Sequence, residues 1–478
     1  MRSGLQSLAL LSVLPLAFAA PAPAPAPLPQ ALAPQDATSI RERQLAGGLV
    51  NGVAGAVDGL LGDINAAVAA GNPTAVLSAL GNIQPTTRPT NIPDVLAKQS
   101  AIWASPTTRT DFFAAIATQV ANGLVLDDTL NTVLTGGLPV GENSVNNDNP
   151  PPPTTIYPKK EEADAPYTLS ESALRQALFI PKGFTYGAKP PVLFIPGTGS
   201  YGGSCFGSNL RKLLTGQDYA DPVWLNIPGA LLGDAQTNSE YVAYAIHYLS
   251  SVSNDSRISI ISWSQGGLDT QWVLKFWPST RKLVRSFLPV SPDFKGSVLA
   301  NVLCLSLDSK IGLNPLCAPS VIQQQSTSQY IAALRRDGGD SAYVPTTTFY
   351  SGFFDEIVEP QQGTIASAFM RDARRVGVSN NEVQRVCAGQ AGGSFYGHAG
   401  VLFNPLTYAL VVDALTHEDG MGDLSRIDVK SVCGGYAAEG LGLDDVLATS
   451  GLIPVAAVLL VTFPERRSTE PVLRGYVG

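Results

Sequence analysis

The chain has 478 residues, 45% of them hydrophobic and 15% charged, with a formal charge of −8 and a pI near 5.0. That apolar fraction fills a sizeable core, which excludes disorder throughout. No broad basic face is available to neutralise phosphates, so nucleic acid is excluded as the expected partner.

Arg2 precedes an apolar run over 5–18 that ends in Ala17-Phe18-Ala19, the small-residue pattern cut by signal peptidase. Residues 1–19 therefore read as a secretory signal and the mature protein as extracellular; the run is shorter than the roughly 20 residues of a span, and Pro15 interrupts it. Residues 20–44 open on alternating Pro and Ala, a stiff linker or pro-segment that buries no core.

Over 45–146 the spacing predicts a small helical region, a possible propeptide. Leu45, Leu49, Val53, Val57, Leu60, Ile64 and Val68 recur every three to four positions, as do Phe112, Ile116, Val120 and Leu124. The Asn- and Pro-rich stretch at 147–160 reads as an exposed linker ending in Lys159-Lys160. A kexin-type protease would cut after Lys160; equally, two lysines simply solubilise a linker.

From 161 to 478 short β-rich runs alternate with amphipathic stretches, which predicts an α/β fold with a mostly parallel sheet and helices on both faces. Val192-Leu193-Phe194-Ile195 and the runs 257–262, 284–290 and 346–350 are the strand candidates. The apolar stretch 452–463 is too short to span a bilayer and contains Pro454, so it reads as a buried or cleft-lining helix and no stable membrane span is expected. Five cysteines permit at most two bridges, and no Cys/His cluster suggests zinc.

The chemistry concentrates in Ile258-Ser259-Ile260-Ile261-Ser262-Trp263-Ser264-Gln265-Gly266-Gly267, where a β-branched strand runs into a serine between small residues and then a helical pattern. A nucleophile elbow needs little bulk two positions before and after the serine, and Ser262 and Gly266 stand there. A serine hydroxyl needs a neighbouring imidazole, and in this fold class the histidine comes last. Of three histidines, His247 precedes the serine and His417 marks a helix end beside acidic groups, whereas His398 lies in the Gly-rich Tyr396-Gly397-His398-Ala399-Gly400. The orienting acid is expected after the 346–350 strand, at Asp355, with Glu356 as its local competitor. Oxyanion donors are expected from the amides of Gln265 and of Thr198, in the Gly-punctuated Pro196-Gly197-Thr198-Gly199, with the Thr198 hydroxyl as a third.

With Pro196-Gly197-Thr198-Gly199, Thr237-Asn238-Ser239-Glu240-Tyr241, Trp263-Ser264-Gln265-Gly266-Gly267, Ala318-Pro319-Ser320-Val321, Asp355-Glu356-Ile357-Val358 and His398-Ala399-Gly400 in this order, the chain resembles the fungal lipase B family over about 165–475. The resemblance implies an α/β-hydrolase and a Ser264, Asp355, His398 triad with Thr198 and Gln265 at the oxyanion. It places Asp293 and Gln324 on the acyl side of the pocket, Trp263 on the alcohol side, and Ile357, Leu452 and Leu459 at the apolar entrance. Cys387 and Cys433 match a family bridge; Cys304 and Cys317 bracket a lid-like segment, where a bridge between them is expected to restrain lid opening, and Cys205 is left over. The family's mature chain begins just after a basic pair, which favours cleavage after Lys160.

These readings converge on a secreted, monomeric lipase or carboxylesterase acting on lipid-like esters, triacylglycerols among them, at a lipid–water interface, with no metal or organic cofactor. The rival readings are a cutinase- or polyester-hydrolase-like esterase on the same scaffold and an inert secreted protein that binds a surface.

Overall fold

The computed structural model describes residues 72–103, 109–126, 137–300 and 317–478, with single positions at 63, 66, 67 and 132. The unit Met1–Ala46 lies wholly outside them, so the architecture below belongs to Gly47–Gly478. The signal, the 20–44 segment, the Leu45 to Val68 stripe apart from positions 63, 66 and 67, and Cys304 with the lid-like stretch also fall outside the described residues.

Seven strands form one sheet: β1 (Leu178–Phe179), β2 (Pro191–Ile195), β3 (Asp221–Leu225), β4 (Ile258–Trp263), β5 (Val284–Val290), β6 (Thr346–Tyr350) and β7 (Val378–Glu382). Their order is β1-β3-β2-β4-β5-β6-β7, with β1 antiparallel to β3 and every other pairing parallel. Strands β2, β3 and β4 are buried at every position, as continuous apolar runs must be when both faces of a parallel sheet are covered.

Alternation along β2 decides which face each side chain serves. Leu193 and Ile195 join the cluster that holds Val242, Ile246, Leu268 and Trp272, from helices Ala235–Val252 and Gln265–Phe276. Val192 and Phe194 point the other way, into the cluster with Leu406 and Leu410 of helix Pro405–Thr416. That helix starts sharply because Asn404 accepts from the Leu406 N–H and Pro405 presets the first turn.

Around β2 the strand order reverses: β3 lies on one side and β4 on the other. Loops leaving the carboxyl ends of β2 and β4 therefore diverge and open a crevice, where open α/β sheets place their sites.

The N-terminal region contributes α1 (Pro73–Gly81), α2 (Ile92–Ile102) and α3 (Arg109–Ala121). Asn72 and Asn91 cap the first two through their side-chain oxygens. Phe112, Ile116 and Val120 of α3 and Leu124 beyond it are buried on one stripe and share a core with Ile453, Val455, Ala457 and Val458. Burying each such large side chain contributes about 1.5–3 kcal/mol. Both α1 and α3 rest on helix Leu452–Thr462.

That helix and the preceding Leu443–Ser450 form a 20-residue run, long and apolar enough to cross a membrane by length and composition, yet 67% buried within the protein. Its length exceeds the sequence expectation because the apolar stretch continues a shorter helix across Gly451.

Of residues 147–160 only Ile156 is buried, yet this stretch and the residues just before it are hydrogen-bonded to the hydrolase body. Trp224 Nε1 donates to the Glu142 carbonyl at 2.7 Å, Asn149 Nδ2 to the Leu178 carbonyl at 2.8 Å, and Tyr248 Oη to the Pro150 carbonyl at 2.8 Å. Pro150 lacks a backbone donor but keeps its carbonyl, and the buried Tyr248 phenol uses it. Cys387 and Cys433 form a disulfide and Cys205 is a buried free thiol, whose pKa burial pushes up. Cys317 is also disulfide-bonded.

Candidate active site

Ser264 follows β4 directly and precedes helix Gln265–Phe276 with φ of +53°, a left-handed backbone that costs about 1–3 kcal/mol for a side-chain-bearing residue. The turn is held by crowding. A Cβ on Gly266 would meet the Ile195 and Pro196 carbonyl oxygens at 2.5 Å, so only glycine lets the helix start so close to β2. Ser262 occupies the other small position, fully buried, with its hydroxyl lacking a hydrogen-bond partner.

His398 arrives from the Gly-rich loop ahead of helix Pro405–Thr416, and Asp355 from the loop after β6. Nδ1 of His398 lies 2.9 Å from Oδ1 and 3.0 Å from Oδ2 of Asp355. The Asp355 carboxylate is itself fixed by the N–H groups of Ile357 at 3.1 Å and Val358 at 2.8 Å. Burial works against an imidazolium at His398, but the charge and hydrogen bond of Asp355, with Glu356 and Asp293, outweigh it and raise the pKa above the ordinary value. Nε2 is buried without a hydrogen-bond partner, so in this conformation no bond ties it to the Ser264 hydroxyl, a looseness common in unliganded sites.

Ser264 and His398 both border a cavity of about 80 Å³. Trp263, Asp293, Gln324 and Ile357 line it too, together with Thr198. Trp263 donates from Nε1 to the His398 carbonyl at 3.2 Å, so the same ring that walls the cavity braces the base. Asp293 is 1% exposed, and neither carboxylate oxygen has a hydrogen-bond partner; burial pushes its pKa up to about 7.

The Thr198 hydroxyl lies 2.7 Å from Gln265 Oε1 and 3.1 Å from Gln324 Oε1, and Gln324 Nε2 donates to Gln265 Oε1 at 3.0 Å. That network joins the two loops whose amides are the candidate oxyanion donors. The single Thr198 proton is engaged within it and must turn to reach an oxyanion. Gln265 is the first helical residue, so its N–H has no acceptor within the helix.

Leu452 and Leu459 do not line the cavity; Ile453, Ala456, Ala457 and Leu460 do. These four follow an i, i+3, i+4, i+7 stripe, one residue out of phase with the expected pair, a rotation of about 100° around the helix. The sequence marks the helix as apolar, but Pro454 alone is too little to set which face meets the cavity. Phe112 of α3 also reaches the cavity, a contact across more than 150 positions of chain that no local pattern announces.

His247 is buried away from the site, between Tyr167 Oη at 2.9 Å and Ser279 Oγ at 2.7 Å. His417 caps the end of helix Pro405–Thr416 and is half exposed.

No protein-family model matches the chain. Over 317 residues it is 33% identical to lipase B of Pseudozyma antarctica, covering 66% of this chain and 86% of that relative. The crystal structure of Aspergillus fumigatus lipase B is similar at 43% identity with a TM-score of 0.78, covering 88% of this chain and 100% of that one.

Proposed function

The chain belongs to the lipase B family and is a serine lipase or esterase, a carboxylic ester hydrolase; on that premise we propose that Ser264, His398 and Asp355 are its catalytic triad and that fatty-acyl esters such as triacylglycerols are its substrates. His398 Nε2 takes the Ser264 proton as the oxygen attacks the ester carbonyl. The amides of Thr198 and Gln265 hold the resulting oxyanion, His398 returns the proton to the departing alcohol, and water or a second alcohol then resolves the acyl-enzyme by the same steps reversed.

One observation carries this reading: a histidine with Nδ1 on a carboxylate and Nε2 unpartnered borders the same cavity as a serine on a strained strand-to-helix turn. Largely apolar walls, from Phe112, Val321, Ile453 and Leu460, favour an acyl chain over a charged substrate. Asp293 and Gln324 on the acyl side, and Trp263 and Ile357 beside them, complete the proposed pocket.

Export is part of the proposal, resting on Arg2, the apolar run 5–18 and Ala17-Phe18-Ala19. So is cleavage after Lys160, which would leave 141–156 held on the body by its hydrogen bonds.

The test is hydrolysis of short- and long-chain p-nitrophenyl esters by the secreted protein, its mass measured, beside Ser264→Ala. Turnover in the parent and its near-complete loss in the variant are expected. Equal turnover in both overturns the nucleophile assignment, and a secreted mass matching the uncut chain overturns the cleavage.

A further inference from the structure

Asp355 accounts for the ring of His398, but the backbone of that residue has a carboxylate of its own. Glu356 Oε2 accepts the His398 N–H at 2.7 Å. The side chain is 6% exposed, so the bond is made without competition from solvent. The loop composition allows it: a Cβ on Gly397 would meet Glu356 Oε2 at 2.5 Å and Oε1 at 3.0 Å. Any larger residue at 397 displaces the carboxylate from the amide.

We propose that Glu356 is a positioning residue for the base, holding the backbone of His398 while its neighbour Asp355 holds the ring. The inference rests on the reading of His398 as the general base.

Adjacent carboxylates divide the task by geometry. Asp355, the shorter, meets Nδ1 with both oxygens; Glu356 spans the loop to the main chain. A base pinned at both ends loses less entropy on reaching the serine.

Glu356 also borders a second, small polar cavity of about 10 Å³, roofed by the N-terminal helices through Gln99, Trp103 and Gln119 and closed by Ser450. Gln119 Oε1 and Ser450 Oγ are buried there without hydrogen-bond partners. A cavity of this size holds about one water molecule, which polar walls would bind. Among the described residues, the groups that line this cavity from the helices are neutral, and the ionisable neighbours of Glu356 are Asp355 and His398. Burial, then the charge of Asp355, raises the Glu356 pKa, while His398 and the backbone N–H pull it down. In its ionised form Glu356 favours the imidazolium that forms when Ser264 attacks.

The experiment compares Glu356→Gln, which keeps volume and an acceptor oxygen but removes the charge, with Glu356→Ala, which removes both, alongside Ser264→Ala. Glu356→Ala is expected to lose about 10²-fold in kcat with KM nearly unchanged, the cost of a misplaced base. Glu356→Gln is expected to recover most of kcat. Its acidic limb in kcat/KM should fall at lower pH, by about one unit, because a lost negative charge no longer favours protonated His398.

Parental kcat in Glu356→Ala, no recovery by glutamine, or an unmoved limb in Glu356→Gln overturns the proposal. If the alanine variant does not fold, the limb and kcat of Glu356→Gln decide alone. If Ser264→Ala retains turnover, the triad reading itself has failed; if it is inactive while both Glu356 variants match the parent across pH, only the positioning role has.

Discussion

The loops at the carboxyl ends of the strands and the N-terminal helices that rest against them are built on opposite principles. The loops carry polar groups in strained or unpartnered states: Ser264 at positive φ, Asp293 with two bare carboxylate oxygens, His398 with Nε2 free. The helices Pro73–Gly81, Ile92–Ile102 and Arg109–Ala121 contribute chiefly apolar burial, and one of their aromatic rings, Phe112, forms part of the cavity wall. The proposed reactive groups are thus ones whose hydrogen bonding is incomplete, while part of the wall around them comes from a segment with little chemistry of its own.

The largest effect is expected from Ser264→Ala, which tests whether the two regions are separable. Turnover of p-nitrophenyl esters should fall by at least about 10³-fold, while the melting temperature should stay nearly the same, because alanine keeps the Cβ that the strained turn already accommodates. A large fall in melting temperature would mean that the serine supports the fold, and the division would break.

Phe112→Ala comes next and acts from the covering side. Truncating a buried phenylalanine costs about 3–5 kcal/mol, and here it also enlarges the cavity that Ser264 borders. The expected outcome is a lower melting temperature together with a rise in kcat/KM for bulky esters relative to short ones. Unchanged selectivity with lowered stability would make Phe112 core packing only.

These two residues also differ in how legible they were. Ser264, His398 and Asp355, the proposed triad, stand out in the sequence because each sits in a local device: small residues around an elbow, a Gly-rich loop, a strand end. The strand runs were equally readable, since a parallel sheet buried on both faces requires unbroken apolar stretches. Phe112 stood out only as one step of a helical stripe, and nothing within that stripe says which distant helix it meets. The linker shows a related limit: Asn- and Pro-rich sequence predicts the absence of helix and strand, but says nothing of whether Asn149 will reach the Leu178 carbonyl or Tyr248 the Pro150 carbonyl. The phase of helix Leu452–Thr462 was lost because it is apolar nearly all round, so composition marks no single face.

A smaller effect sharpens the cost of incomplete hydrogen bonding. Asp293 has its pKa raised to about 7 by burial, against an ordinary value near 4. Between those values the folded state holds a proton that the unfolded chain has released, so the contribution of Asp293 to stability is present at low pH and is lost as pH rises toward and through 7. Asp293→Asn does not titrate. Its melting temperature relative to the parent should therefore climb between pH 5 and pH 8, by about 2–4 °C for each 1 kcal/mol relieved. A gap that is constant across this range would mean that the carboxyl group finds a partner in solution.

The smallest expected effect concerns a polar clasp between the N-terminal helices and the body. Gln119 Nε2 donates to the Ser450 carbonyl at 2.9 Å, near the end of helix Leu443–Ser450, where a carbonyl lacks an intrahelical donor. Gln119→Ala removes that donor and should cost about 1 kcal/mol, the usual net worth of such a bond plus the carbonyl left behind. Because Phe112, Ile116 and Val120 still pack, the region should stay docked, and ester selectivity should match the parent. Calorimetry and a two-substrate kinetic comparison check both halves. If Gln119→Ala instead shifts selectivity as Phe112→Ala is expected to, then the cover is held by its hydrogen bond and not by apolar burial, and the contrast between the two regions is one of position alone.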